Sequence, residues 1–223
     1  MMIMLFFFPL SSLADPQIIV ITSNGEDDEG DEVEDEDFEK GNSIQICCAW
    51  NDALADGILT YFIDDDLVSK DKREAVQSGI EKWDSEIIGL ELEESSNERT
   101  YDIKVGFQKS NENDIAGQTV NTFDGYGFIN SIEITIFKET ADFGFTDEII
   151  EQITEHEMGH ALGLGHANFA GNLMAAEINY GTETISECEI KGVYEANSWY
   201  LEGNSDGNIG PAYPRNDIIT CDT

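Results

Sequence analysis

Residues 156–166 read His156-Glu157-Met158-Gly159-His160-Ala161-Leu162-Gly163-Leu164-Gly165-His166, and every histidine of the chain lies in this window. The pattern is H-E-x-x-H-x-x-G-x-x-H. The residues before it predict a helix. Thr146 is a suitable N-cap, and Asp147 and Glu148 fall in the first turn, where the helix dipole favours anions. Ile149, Ile150 and Ile153 follow at helical intervals. On that helix His156 and His160 project from one face, about one turn apart, so both imidazoles can reach one ion. Gly163 suits the left-handed conformation that ends a helix. An uninterrupted helix would carry His166 about 15 Å along the axis from His156. A chain that turns at Gly163 instead delivers His166 as a third ligand from another direction.

Three neutral imidazoles leave a tetrahedral zinc with one open position, the pattern of catalytic rather than structural sites. Water at that position has its pKa lowered toward about 7. Glu157 follows the first ligand, which angles its carboxylate toward the open side. There it can take a proton from water and later hand it to a leaving amine. The expected chemistry is metal-assisted hydrolysis of a peptide bond. His156, His160 and His166 are the expected ligands of one catalytic Zn2+, and Glu157 is the expected catalytic base.

This motif, with Asn172-Leu173-Met174 after it, resembles the metzincin metalloproteases, and within them the matrixins, the family of the matrix metalloproteases. The resemblance implies that Met174 is the Met-turn methionine beneath the zinc. Other stretches are similar to the same family. Leu59–Ile63 resembles the first strand, Asp71–Ile88 the long first helix, and Ile115–Val120 the edge strand that holds substrate. Tyr101–Phe107 and Ser131–Phe137 read as further strands. On the first helix Ala75, Ile80, Trp83 and Ile87 form an apolar stripe. The fold implied is α+β, a twisted mixed sheet with a long first helix, an active-site helix and a C-terminal helix at Glu187–Leu201. Ser186 and Glu189 form a capping box for the last helix. The family commonly carries a second, histidine-bound zinc, and no histidine remains here for one. Its tyrosine after the Met-turn is also missing. Met174 is followed by Ala175-Ala176-Glu177, so Ile178 or Tyr180 takes that wall of the specificity pocket. The resemblance further implies structural Ca2+, for which Asn111–Asp114 and Asn204–Asn208 are oxygen-rich candidates.

The chain has 223 residues, enough for one catalytic domain with a core. Residues 1–14 (MMIMLFFFPLSSLA) read as a signal peptide: a short apolar run followed by a small-x-small cleavage site. Residues 15–43 read as an acidic disordered linker or short propeptide, because nearly every residue from Glu26 to Glu39 is acidic. Residues 44–223 are the expected catalytic domain. The protein is expected to be secreted, monomeric and without a membrane span. With 47 acidic residues against 11 basic, the net charge is −36. That excludes nucleic acid as a partner, since phosphate binding needs a basic surface. The expected partner is a protein or peptide bound as an extended strand.

Four cysteines fit an exported protein. Cys47 and Cys48 are adjacent, and neighbouring Cα atoms lie about 3.8 Å apart, closer than disulfides prefer. The expectation is that they do not pair with each other, and that each bonds to Cys188 or Cys221. An alternative is that Cys47 or Cys48 latches the zinc. At the level of function, the alternative to an endopeptidase is a non-catalytic zinc-binding or adhesion protein at the cell surface. Glu157 argues against it, because zinc binding alone does not need that carboxylate.

Overall fold

The structure is a computed structural model that describes residues 17–19, 41–66, 68–109, 115–139, 144–177, 184–201 and 217–221. Its main sheet has six strands: β1 (Gln17–Ile19), β3 (Ile58–Ile63), β4 (Glu91–Glu94), β5 (Ile103–Gln108), β6 (Ile115–Phe123) and β7 (Ile129–Phe137). Their spatial order is β1-β6-β7-β5-β3-β4. Strands β4, β3, β5 and β7 run parallel, while β6 is antiparallel to β7 and β1 antiparallel to β6. The sheet is therefore mixed, as expected. Its alternating residues Leu59, Tyr61, Ile63, Ile103, Val105, Ile132, Ile134 and Ile136 are buried. That alternation is what a sheet covered on one face requires.

Helices α1 (Lys70–Glu86) and α2 (Asp147–Ala161) supply the cover. Ala75, Val76, Ile80 and Trp83 bury one stripe of α1, and Ile87 is buried just beyond its end. Trp83 also donates its indole N–H to the carbonyl of Glu155 on α2, at 2.8 Å. Helix α2 begins where expected: the Thr146 hydroxyl accepts from the backbone N–H of Ile149 at 3.4 Å. Helix α3 (Glu187–Leu201) opens with Ser186 and Glu189 in contact, the backbone N–H of Ser186 donating to Glu189 at 3.0 Å.

A second, three-stranded sheet was not anticipated. It joins β2 (Ser43–Ile46), β8 (Leu164–Ala167) and β9 (Asp217–Thr220) in the order β8-β2-β9. Each strand is four residues long, too short to show clear alternation, and the pairs are far apart in sequence. Near its C-terminal end the chain thus forms a paired strand. Strand β1 is also a departure, because it falls within the stretch read as an acidic linker. Its residues Ile18 and Ile19 are apolar and β-branched, and the outer edge of β6 offers backbone groups for a strand to pair with. The acidic run Glu26–Glu39 and the signal-like residues 1–14 lie outside the described residues. Among the described residues no helix is long and apolar enough to cross a membrane.

The cysteine expectation is corrected. Cys47 bonds to Cys48, and Cys188 bonds to Cys221, leaving no free thiol. The physical reason is the register of β9 on β2. Ser43 pairs with Thr220 and Ile46 with Asp217, and the N–H of Cys221 donates to the carbonyl of Asn42 at 2.8 Å. Cys221 therefore sits at the start of β2, while Cys47 follows its end, roughly 17 Å away at the rise of a strand. Cys188, at the start of α3, meets Cys221 with a Cα separation of 5.3 Å. Cys47 and Cys48 have only each other.

The Cys188–Cys221 bond spans 33 residues. Closing a loop of that size removes enough unfolded-chain entropy to stabilise by about 3–4 kcal/mol. The double variant Cys188→Ser/Cys221→Ser should lower the unfolding free energy by about that amount in urea titrations. A loss under about 1 kcal/mol would mean that β9 holds the tail without the bond.

Candidate metal centre

Helix α2 places His156 and His160 on one face and ends at Ala161, with Leu162 as C-cap. Gly163 follows with φ 102°, a left-handed conformation that favours glycine. A side chain there would also strike the carbonyl oxygen of Cys48, 2.4 Å from an ideal Cβ. The chain reverses at this glycine and enters β8, which carries His166. The imidazole ligand atoms of His156, His160 and His166 all lie within 4.8 Å of one another, a group that could hold a metal ion.

The end of α2 is tied down from elsewhere. The indole N–H of Trp50 donates to the carbonyl of Ala161 at 2.9 Å. Asn197, at a non-helical kink in α3, donates to the carbonyl of Leu162 at 2.8 Å and accepts from the N–H of Trp50 at 3.1 Å. Carbonyls at a buried helix end need such partners.

Hydrogen bonds behind the histidines set their orientation. Nδ1 of His156 lies 2.6 Å from the carbonyl oxygen of Leu173, and Nδ1 of His160 lies 2.9 Å from that of Leu164. A carbonyl only accepts, so both protons sit on Nδ1 and both Nε2 atoms carry lone pairs. Those two Nε2 atoms face each other at 2.9 Å. Nε2 of His166 is buried and has no partner in the protein. Burial pushes His160 down to about 3 and holds His156 well below the usual range, with nearby histidine charge adding to the effect. Burial also lowers His166. The three rings are thus neutral near pH 7. Neutral nitrogens with converging lone pairs fit a divalent ion such as Zn2+.

The segment after His166 supports the same site. Met174 is fully buried, and its sulfur would lie 2.4 Å from a Cβ built on Gly159 of α2. The methionine therefore packs directly beneath the metal-site helix, and only a glycine at 159 leaves it room. The turn is closed by Asn172, whose side chain accepts from the N–H of Met174 at 2.9 Å. It is joined to β8 by the N–H of Ala167, which donates to the carbonyl of Met174 at 2.8 Å.

Glu157 is wholly buried on α2. In the protein alone, burial pushes its carboxyl up to about 8, opposed by a hydrogen bond from Thr119; a cation held by the neighbouring histidines would favour the ionised form. The Thr119 hydroxyl donates to Oε2 at 2.5 Å, while Oε1 is buried and without a partner. The sequence reading missed Thr119 and the carbonyls of Leu164 and Leu173. A backbone carbonyl carries no sequence signal, and a threonine in a strand reads as ordinary strand preference. Neither Cys47 nor Cys48 joins the histidine group; both are in their disulfide. Ile178 and Tyr180, and the oxygen-rich stretches Asn111–Asp114 and Asn204–Asn208, lie outside the described residues.

Comparison with known proteins agrees with this geometry. Over 144 residues the chain is 26% identical to the protein named Metalloendoproteinase 1-MMP of Arabidopsis thaliana. The match covers 57% of this chain and 39% of that protein, so the chain spans well under half of the relative's length. The family model described as Matrixin matches residues 50–196, a stretch that runs from Trp50 through the histidine cluster to Ala196 in α3. The chain belongs to the matrixin family.

Proposed function

We propose that the protein is a secreted zinc endopeptidase in which His156, His160 and His166 hold the ion and Glu157 is the general base. One observation carries this reading. Three neutral histidines, two on α2 and one on β8, come together beside a buried carboxylate of α2 that has one oxygen without a hydrogen-bond partner. Zn2+, when bound, polarises the scissile carbonyl and acidifies water. The rest of the work falls to side chains. The bonds from Nδ1 to the Leu173 and Leu164 carbonyls keep Nε2 of His156 and His160 aimed inward. Oε1 of Glu157 takes a proton from the attacking water as its oxygen bonds to the carbonyl carbon. It then returns that proton to the amine nitrogen as the C–N bond breaks. Secretion is supported by the two disulfides, which persist in oxidising compartments.

The substrate is read as an extended peptide added to the edge of β6. What supports this is that β6 already takes an antiparallel strand from the chain itself. Gln17 pairs with Gln118 and Ile18 with Gly117. A peptide adding to the same edge has to displace β1.

In a peptide library read by mass spectrometry, the zinc-loaded wild type should cut. Glu157→Ala and chelated samples should not, while the variant still holds one zinc per chain by elemental analysis. Cleavage by Glu157→Ala at the wild-type rate would remove the glutamate from the mechanism. Zinc-loaded wild type that cuts nothing would favour the non-catalytic, adhesive reading. Removing residues 1–20 should lower KM several-fold with little change in kcat. An unchanged KM would mean that substrate and β1 do not share the edge.

A further inference from the structure

Two residues of β6 grip the carboxylate of Glu157 from the same face of the strand. Positions 117 and 119 are two apart, so their side-chain directions coincide. At 119 the hydroxyl is fully buried and donates to Oε2 of Glu157 at 2.5 Å, with the backbone carbonyl of Glu157 a longer 3.2 Å away. At 117 there is no side chain. A Cβ on Gly117 would lie 2.3 Å from Oε1 and 2.8 Å from the carboxyl carbon. The carboxylate therefore lies in a recess made by Gly117 and is held at one oxygen by Thr119.

We propose that Thr119 is a positioning residue for the general base. Its hydroxyl holds Oε2, so that Oε1 is the oxygen presented to the attacking water. This rests on the assignment of Glu157 as the base. The alternative role for Thr119 is to fill space in a strand. Valine would do that equally well, with the same shape and a stronger strand preference. A buried hydroxyl instead needs a partner, and the short contact is to the carboxylate. Hydrogen bonds from a hydroxyl to an ionised carboxylate fall in the range of about 2.5–2.7 Å and exceed neutral ones in strength. The arrangement has a second consequence. Because β6 is also the edge proposed to receive the peptide, the base is indexed to the strand that carries its substrate. A small shift of that strand moves both together.

The test is steady-state kinetics on zinc-loaded full chains carrying Thr119→Val, Thr119→Ser or Glu157→Gln. Zinc content and melting temperature are measured on each. Thr119→Val should lower kcat about 10- to 100-fold, the usual effect of losing a supporting hydrogen bond at such a site. KM should stay within about twofold, and one zinc per chain should remain. Thr119→Ser, which restores the hydroxyl without the methyl, should recover kcat to within about threefold of wild type. A kcat for Thr119→Val within twofold of wild type overturns the proposal. So does a serine variant as slow as the valine variant, which would show a packing role. If Thr119→Val does not fold, Thr119→Ala replaces it as the variant without a hydroxyl. Glu157→Gln separates the two readings. Full turnover in that variant overturns the endopeptidase mechanism itself. Loss of turnover in it, with Thr119→Val unaffected, overturns only the role of Thr119.

Discussion

The orientation of the histidines depends on two backbone carbonyls, those of Leu164 and Leu173, which take the Nδ1 protons of His160 and His156. Neither carbonyl belongs to the helix that carries the rings. Leu164 opens β8, just past the turn at Gly163, and Leu173 lies beside the buried Met174. The site therefore exists only if the chain beyond α2 is held against α2. Much of the rest of the fold can be understood as holding it there. Trp50 and Asn197 bind the last carbonyls of the helix, and β2 pairs with β8. Met174 fits against Gly159.

The donor atoms of this site are arranged around a common point. Two nitrogen lone pairs face each other at 2.9 Å, and buried atoms of His166 and Glu157 lack partners. Buried polar groups without hydrogen bonds are destabilising. A cation among the three nitrogens would relieve the repulsion and satisfy His166 in one step. Metal affinity and fold stability should accordingly be linked in this protein. The large sheet and its two covering helices supply the apolar burial around the site, with Trp83 and the isoleucines of β5 and β7 at its centre.

Parts of this were legible beforehand for identifiable reasons. The capped start of α2 and the stripe of Ala75, Ile80, Trp83 and Ile87 follow from local periodicity, which residues a few positions apart suffice to show. The alternation in β5 and β7 is local in the same sense. What was not legible is non-local. The strands β2, β8 and β9 are four residues each and are joined across more than a hundred positions. The Cys47–Cys48 bond follows from where β9 lands on β2, and geometry of adjacent residues alone pointed the other way. Thr119 and Glu157 are 38 residues apart, and no spacing rule connects them.

The order of residues from His156 to His166 was enough to pick out the three histidines that the fold brings together, the carboxyl group beside them and the need for a turn. Helical period and glycine's access to positive φ leave few other ways to use that spacing. The tertiary structure decided everything that required a second segment to arrive: which nitrogen of each ring faces the centre, which oxygen of Glu157 is held, and which cysteines meet. These depend on contacts between residues distant in the chain, formed only when the sheets close around α2.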